Sequence, residues 1–161
     1  LSASFDQPIE TVCKELKANG FSVSSVPEET DGDVVTYRYS ETIEGLTFTV
    51  TLMGAPYEPS GEPCLFIYDK RLTLTSWFSD TEAAAMDRII SAYKASYPDP
   101  DNDEYEPIAD LNESFLHEGN HMLVQWVNEA NPEVFRSVGF TVTEAKRIDI
   151  VITDQSEAYF Q

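Results

Sequence analysis

Basic residues are scarce in this chain. Its 161 residues hold 10 Lys+Arg against 29 Asp+Glu, a formal net charge of −19. A field of that sign repels phosphate backbones and anionic lipid, so neither nucleic acid nor a membrane surface is an expected partner. Long apolar runs are missing too: no stretch of about 18 residues is apolar enough to span a bilayer. Cysteine is limited to Cys13 and Cys64, too few for a disulfide scaffold. The two could form one bridge in an oxidising compartment or stay as buried thiols. No G-x-S-x-G segment or Walker-type loop occurs, and neither histidine has a Ser/His or Cys/His setting, so nucleophilic catalysis has no support. With 29 carboxylates, some pair always lies close enough to imitate a glycosidase site, and such pairs carry no signal. No Ser/Gly-rich linker divides the chain, so residues 1–161 are expected to form a single α+β domain.

What is present suffices for a core: 42% of the residues are apolar and 12% aromatic, which separates this chain from acidic disordered ones. Asp6 and Pro8 mark the start of a first helix. Ile9, Val12, Cys13 and Leu16 form its apolar face at i, i+3, i+4, i+7, and Asn19-Gly20 ends it. Phe21–Val26 reads as a short strand and the acidic residues 28–33 as a turn. Val34–Tyr39 is β-rich, and Glu44-Gly45 is a turn. Leu46, Phe48, Val50 and Leu52 then alternate with Thr47, Thr49 and Thr51, the period of a half-buried strand. Cys64–Tyr68 reads as a strand covered on both faces, with Leu72 and Leu74 continuing or re-entering the sheet.

Ser79-Asp80-Thr81-Glu82 fits a capping box, opening a second helix whose face carries Met86, Ile89, Ile90, Tyr93 and Tyr97. Pro98 stops it. Ile108, Leu111 and Phe115 suggest a shorter third helix. His121–Val127 reads as a strand, and two alternating runs closed by a turn at Glu144–Lys146 form a C-terminal hairpin. The expected order is α-β-β-β-β-α-α-β-β-β: α+β, with two or three helices packed on one face of a mainly antiparallel sheet. Each half reads as helix then strands, which suggests an old duplication, although no residue-level repeat is present.

Two segments have the spacing of metal ligands. His117-Glu118-Gly119-Asn120-His121 matches H-E-x-x-H, in which two histidines one helical turn apart hold Zn²⁺ and the glutamate activates its water. That geometry needs a continuous helix, and Gly119-Asn120 is a pair that ends helices. Glu129, Glu133 and Glu144 are the candidates for a third ligand. The plainer reading is a helix end and a turn. Asp99, Asp101 and Asp103 have the 1-3-5 spacing of an EF-hand loop, with Asp110 at position 12. Glu104, however, stands where that loop needs Gly, and Pro107 stands at position 9. The plainer reading is a solvated acidic loop. The aromatics Tyr37, Tyr39, Tyr57, Tyr68, Trp77, Phe78, Trp126 and Phe135 are expected mostly in the core, with some available to line a groove. Lys70-Arg71 and Lys146-Arg147 are expected to make local ion pairs.

The segment "KELKANGFSV" after a helix start near Phe5, the Thr- and aromatic-rich strands, and Trp77 before a long helix make up a pattern. Closing strands "VGFTVT" and "RIDIVITDQ" complete it. This resembles uncharacterised exported proteins and lipoproteins of Gram-negative gut anaerobes, which are similar to folds of the β-lactamase-inhibitor-protein and SmpA/OmlA type. The resemblance implies helices on an antiparallel sheet, a periplasmic or cell-surface location, and a protein or envelope component as partner rather than catalysis. It carries no cofactor and no transferable site residue. A chain starting at Leu1 rather than Met also fits a processed, exported protein. The alternatives are a small zinc hydrolase through His117, Glu118 and His121, and a calcium module through the loop of Asp99, Asp101 and Asp103.

Overall fold

In the computed structural model, residues 7–56, 61–75, 77–110, 119–127, 134–142 and 148–156 are described. Helix α1 (Ile9–Ala18) buries the four residues that its apolar spacing selects, Ile9, Val12, Cys13 and Leu16. Pro8 stands at its N-cap, just ahead of the first turn, and its carbonyl accepts from the Thr11 and Val12 N–H groups. Asp6, the expected cap, lies outside the described residues. Asn19 closes the C-terminal end.

The strand expected over Phe21–Val26 does not form. Phe21 packs against Tyr39 with ring centroids 5.3 Å apart and Val23 is buried, but the segment pairs with no strand among the described residues. The acidic stretch read as a turn contributes strand β1 (Glu29–Asp31), which pairs with the start of β2 (Val34–Ile43) around a turn at Gly32-Asp33. Glu44 and Gly45, both at positive φ (52° and 78°), form the two-residue turn into β3 (Leu46–Pro56). Strand β3 alternates as its period of two requires, with Leu46, Phe48, Val50 and Leu52 buried and Thr47 and Thr49 exposed. Strand β4 (Pro63–Leu74) joins Cys64–Tyr68 with Leu72 and Leu74 in one run.

The capping box of α2 (Asp80–Ser96) is complete: Ser79 Oγ accepts from Glu82 N at 3.1 Å and Glu82 Oε1 accepts from Ser79 N at 2.9 Å. The helix ends just before Tyr97-Pro98. Strand β5 (Asn102–Asp103) lies within the acidic loop, where no strand is expected. At the start of the expected third helix Ile108–Asp110 forms a 3₁₀ turn; the rest of that helix, with Leu111 and Phe115, lies outside the described residues. Strands β6 (Gly119–Val127), β7 (Val134–Val142) and β8 (Ile148–Ser156) complete the chain, β7 and β8 pairing as the expected antiparallel hairpin. The turn Glu144–Lys146 lies outside the described residues.

The strands form one eight-stranded antiparallel sheet in the order β1-β2-β3-β4-β8-β7-β6-β5. Among the described residues the order is α-β-β-β-β-α-β-β-β-β, with two short strands, β1 and β5, that the sequence pattern does not call for and without the expected strand over Phe21–Val26. The strand order is palindromic. Each half is a helix followed by a four-strand meander, and the halves meet along a β4–β8 seam running from Ile67↔Gln155 to Leu74↔Ile148.

Both helices cover the same face. Leu46 and Phe48 cluster with Met86 and Ile90 of α2, while Val50 and Leu52, in phase with them on β3, cluster with Val12 and Leu16 of α1. The opposite face shows Arg38, Ser40, Thr42, Thr47, Thr49 and Thr73 to solvent. The first turn of α1 approaches the sheet most closely at Gly54, where a Cβ would stand 3.0 Å from Ile9 Cδ1.

Candidate functional site

Among the described residues, those with metal-ligand spacing are not brought together. Gly119 opens β6 and His121 lies on that strand, opposite Phe140. The continuous helix that H-E-x-x-H requires is therefore not formed at Gly119–His121; His117 and Glu118 lie outside the described residues. In the acidic loop Asp99 and Asp101 are exposed, and the Asp101 N–H donates to Gln125 O. Asp103 is already engaged. Lys94 Nζ stands 2.6 Å from its Oδ2, its Oδ1 accepts from Tyr105 N, and its carboxyl is held below the ordinary range mainly by the Lys94 bond. Asp87 on α2 accepts from both Tyr105 Oη and the Ile108 N–H, latching the loop to the helix. Pairing with β6 and this latch extend the loop along the sheet edge, where an EF-hand loop would wrap around an ion. Among the described residues, no three His, Cys, Asp or Glu side chains converge on a point that could hold a metal.

The structure assembles a different group, a band of polar side chains between the two apolar clusters on the helix-covered face. Tyr39 and Tyr68 share a hydroxyl–hydroxyl bond of 3.1 Å, and burial pushes the Tyr39 phenol up to about 12. Lys70 Nζ lies 3.2 Å from Glu41 Oε2, both side chains only 15% exposed, and 5.3 Å from the centroid of the Tyr68 ring. Tyr93 on α2 donates to Asp154 Oδ1 on β8, and Arg136 Nε stands 3.4 Å from the same oxygen. The Arg136 guanidinium also lies 4.0 Å over the Tyr97 ring. Burial raises the Asp154 carboxyl despite the Tyr93 bond and the nearby Arg136 and Lys70 cations. The sequence signal was available. Glu41, Lys70 and Asp154 interrupt alternating runs at positions where the pattern calls for apolar residues: Tyr37–Tyr39–Glu41–Ile43, Tyr68–Lys70–Leu72 and Ile148–Ile150–Ile152–Asp154.

Two recesses flank this band. One, of about 240 Å³, lies under α2 at the seam; Ile43, Ile89, Ala92 and Ile152 form its apolar wall, and Lys70 and Arg88 bring charge to it. The other, of about 450 Å³, lies between the first turns of α1, the segment Ser25–Pro27 and the start of β2. Ile9, Val35 and Tyr37 line it, and Val26, 64% exposed, stands among them. It continues along α1 past Lys14 and Lys17, whose Nζ donates to Ser25 Oγ at 2.8 Å. Beside this groove, no strand among the described residues pairs with Tyr37–Ile43 on the side away from β3.

The remaining candidates fall mostly into the core. Tyr37, Tyr39, Tyr68, Phe78 and Trp126 are buried and Trp77 half-buried, while Tyr57 and the Phe135 side chain lie outside the described residues. Lys70 and Arg71 make separate local ion pairs, with Glu41 and Asp149. Lys146 and Arg147 lie outside the described residues. Cys13 and Cys64 are unbridged and buried, and burial raises the Cys13 thiol to about 11, far from a reactive thiolate at neutral pH. No helix among the described residues is long and apolar enough to cross a membrane. No protein-family model matches the chain, and neither does any curated protein or solved structure.

Proposed function

We propose that this chain is a non-catalytic, extracytoplasmic binding domain whose partner is a protein or other envelope component docked in the groove beside α1. The observation that carries this reading is the exposed Val26 at a recess of about 450 Å³ lined by Val35 and Tyr37 of β2, a strand whose Tyr37–Ile43 stretch pairs only with β3 among the described residues. A recess of mixed apolar and polar lining, near a strand edge that no other strand among the described residues covers, suits an extended polypeptide, which adds main-chain bonds along the strand and seats one side chain in the recess. Export rests on the resemblance to exported lipoproteins and on the acidic, lysine-poor composition.

Site-specific photo-crosslinking tests it. A photoreactive residue at Val26, in the full gene product expressed in its native cells, is expected to give an adduct in the envelope fraction. The same group at Thr49, on the opposite sheet face, is expected to give none. Silence at position 26, adducts at position 49 alone, or a gene product confined to the cytosol would overturn the reading.

A further inference from the structure

We propose that the partner segment in the groove beside α1 is an internal, extended stretch of polypeptide that carries an acidic side chain next to its apolar one, the acid held by Lys14 and Lys17. This rests on the reading of the groove given above and names the chemistry of its occupant.

Ion pairing sets these two lysines apart. Arg38, Lys70, Arg71, Arg88, Lys94 and Arg136 each stand beside a carboxylate. Among the described residues Lys14 and Lys17 do not, although the chain holds 29 acids against 10 bases. Glu10 stands one turn before Lys14, the favoured order for an ion pair along a helix, yet the two are not paired. Lys17 donates to Ser25 Oγ at 2.8 Å, a neutral acceptor that uses one of its three N–H donors. Its place in the last turn of α1 also suits the negative end of the helix dipole. Lys14 lies too far from that end for the same account. Both residues are exposed, so each is open to a carboxylate from outside.

The two lysines also share one place. Lys14 lines both the recess of about 450 Å³ at Val26 and the smaller one of about 180 Å³ that continues it, and Lys17 lines the smaller one. Three residues apart on a helix, they are neighbours on one side, about 4.5 Å apart along its axis. A single carboxylate can therefore meet both. Around the smaller recess they face one acid, Glu10. In an extended chain, side chains two residues apart point the same way, about 7 Å from each other. A residue seated against Val26 and Tyr37 thus carries the residue two places along towards Lys14. The β2 edge runs on past Tyr37 to Ile43, so the segment passes through the groove and the acid is a side chain within it, not a chain end. The net charge of −19 repels an acid only weakly from beyond about 8 Å at physiological salt, which leaves the nearest charges to decide.

The test uses the adduct formed by a photoreactive residue at Val26 in the full gene product, in its native cells. Treating that adduct with a carbodiimide, which joins an amine to a carboxylate with loss of water, should link Lys14 or Lys17 to an Asp or Glu side chain of the partner. Mass spectrometry locates the new amide. The double change Lys14→Gln with Lys17→Gln should cut the adduct yield about threefold or more. Lys14→Arg with Lys17→Arg should keep the yield, and Glu10→Gln should raise it. Should the double Gln variant fold poorly, Lys14→Gln alone disturbs no contact among the described residues and should lower the yield in the same direction. A yield indifferent to Lys→Gln, an equal loss in the Gln and Arg variants, or an amide to the partner's terminal carboxylate would overturn this inference and leave the groove reading standing. No adduct at Val26 in the unaltered background would overturn both.

Discussion

Tyr93 joins α2 to β8 through a single hydroxyl, donated to a carboxylate that burial disfavours in its charged form. Tyr93→Phe keeps the ring packing against Trp126, centroids 5.6 Å apart, and removes only that donor. The expected loss is about 1–3 kcal/mol. It should be larger near neutral pH than in acid, because the Tyr93 hydrogen bond favours the charged form of the Asp154 carboxyl. Urea unfolding of both proteins at the two pH values checks this. Gly54 makes the complementary prediction. An added methyl at 3.0–3.1 Å from three Ile9 side-chain atoms must displace that side chain by a few tenths of an ångström in a packed contact, so Gly54→Ala should cost about 1–3 kcal/mol. Adding Ile9→Ala should recover part of that loss, and a double-mutant cycle measures the coupling. The sequence marks Asp154 as a break in an alternating run without disclosing its partner, and it carries no sign of the role of Gly54. The close approach at Gly54 depends on where α1 lands, and Asp154 shows only as one acid after an isoleucine run.

Elements that carry their own local instructions were legible. The Ser79–Glu82 box, the alternation of β3 and the four-residue apolar face of α1 all form where the spacing puts them. Ser79→Ala should cost about 1 kcal/mol by leaving first-turn N–H groups of α2 unpaired, read as a lower denaturant midpoint at an unchanged slope. Elements that depend on a partner were misread. Phe21–Val26 has strand-like composition but no neighbour to pair with. Glu29–Asp31 and Asn102–Asp103 have loop composition, yet each lies beside a strand end and is drawn into the sheet. In the acidic loop the decisive contacts come from far along the chain, from Lys94 and Asp87 on α2 and Gln125 on β6. Spacing within the loop could not reveal them, so the EF-hand-like pattern of Asp99, Asp101 and Asp103 came forward and the latch did not.

For the molecule as a whole, the excess of 29 acidic over 10 basic residues acts against the compact state. Burial raises the carboxyls of Asp69 and Asp154 above the ordinary aspartate value of 3.8. The folded chain therefore retains protons that the unfolded chain releases. The stability linked to these two groups is full below 3.8 and is lost as pH rises through their folded values. Asp103, held low by Lys94, works in the opposite direction and is more exposed. Relief of self-repulsion in acid adds to the effect of the first two. The melting temperature should thus be higher near about pH 5 than near about pH 8. At the higher pH it should rise with added salt, which screens the surface charge. Scanning fluorimetry across pH and salt reads both, and a flat response would contradict the sign. The palindromic sheet has one further consequence, and it is kinetic. Most strand pairings close short hairpins, as at Glu44-Gly45, but the pairing of Lys70 with Ile152 must wait for the whole second half of the chain. Loop-closure entropy delays that step, so the two meanders form first and zip together last. Lys70 meets Glu41, Tyr68 and Val50 once the first meander forms and gains Ile152 only at that final event, so the middle of the seam is the last part of the sheet to be shielded from water.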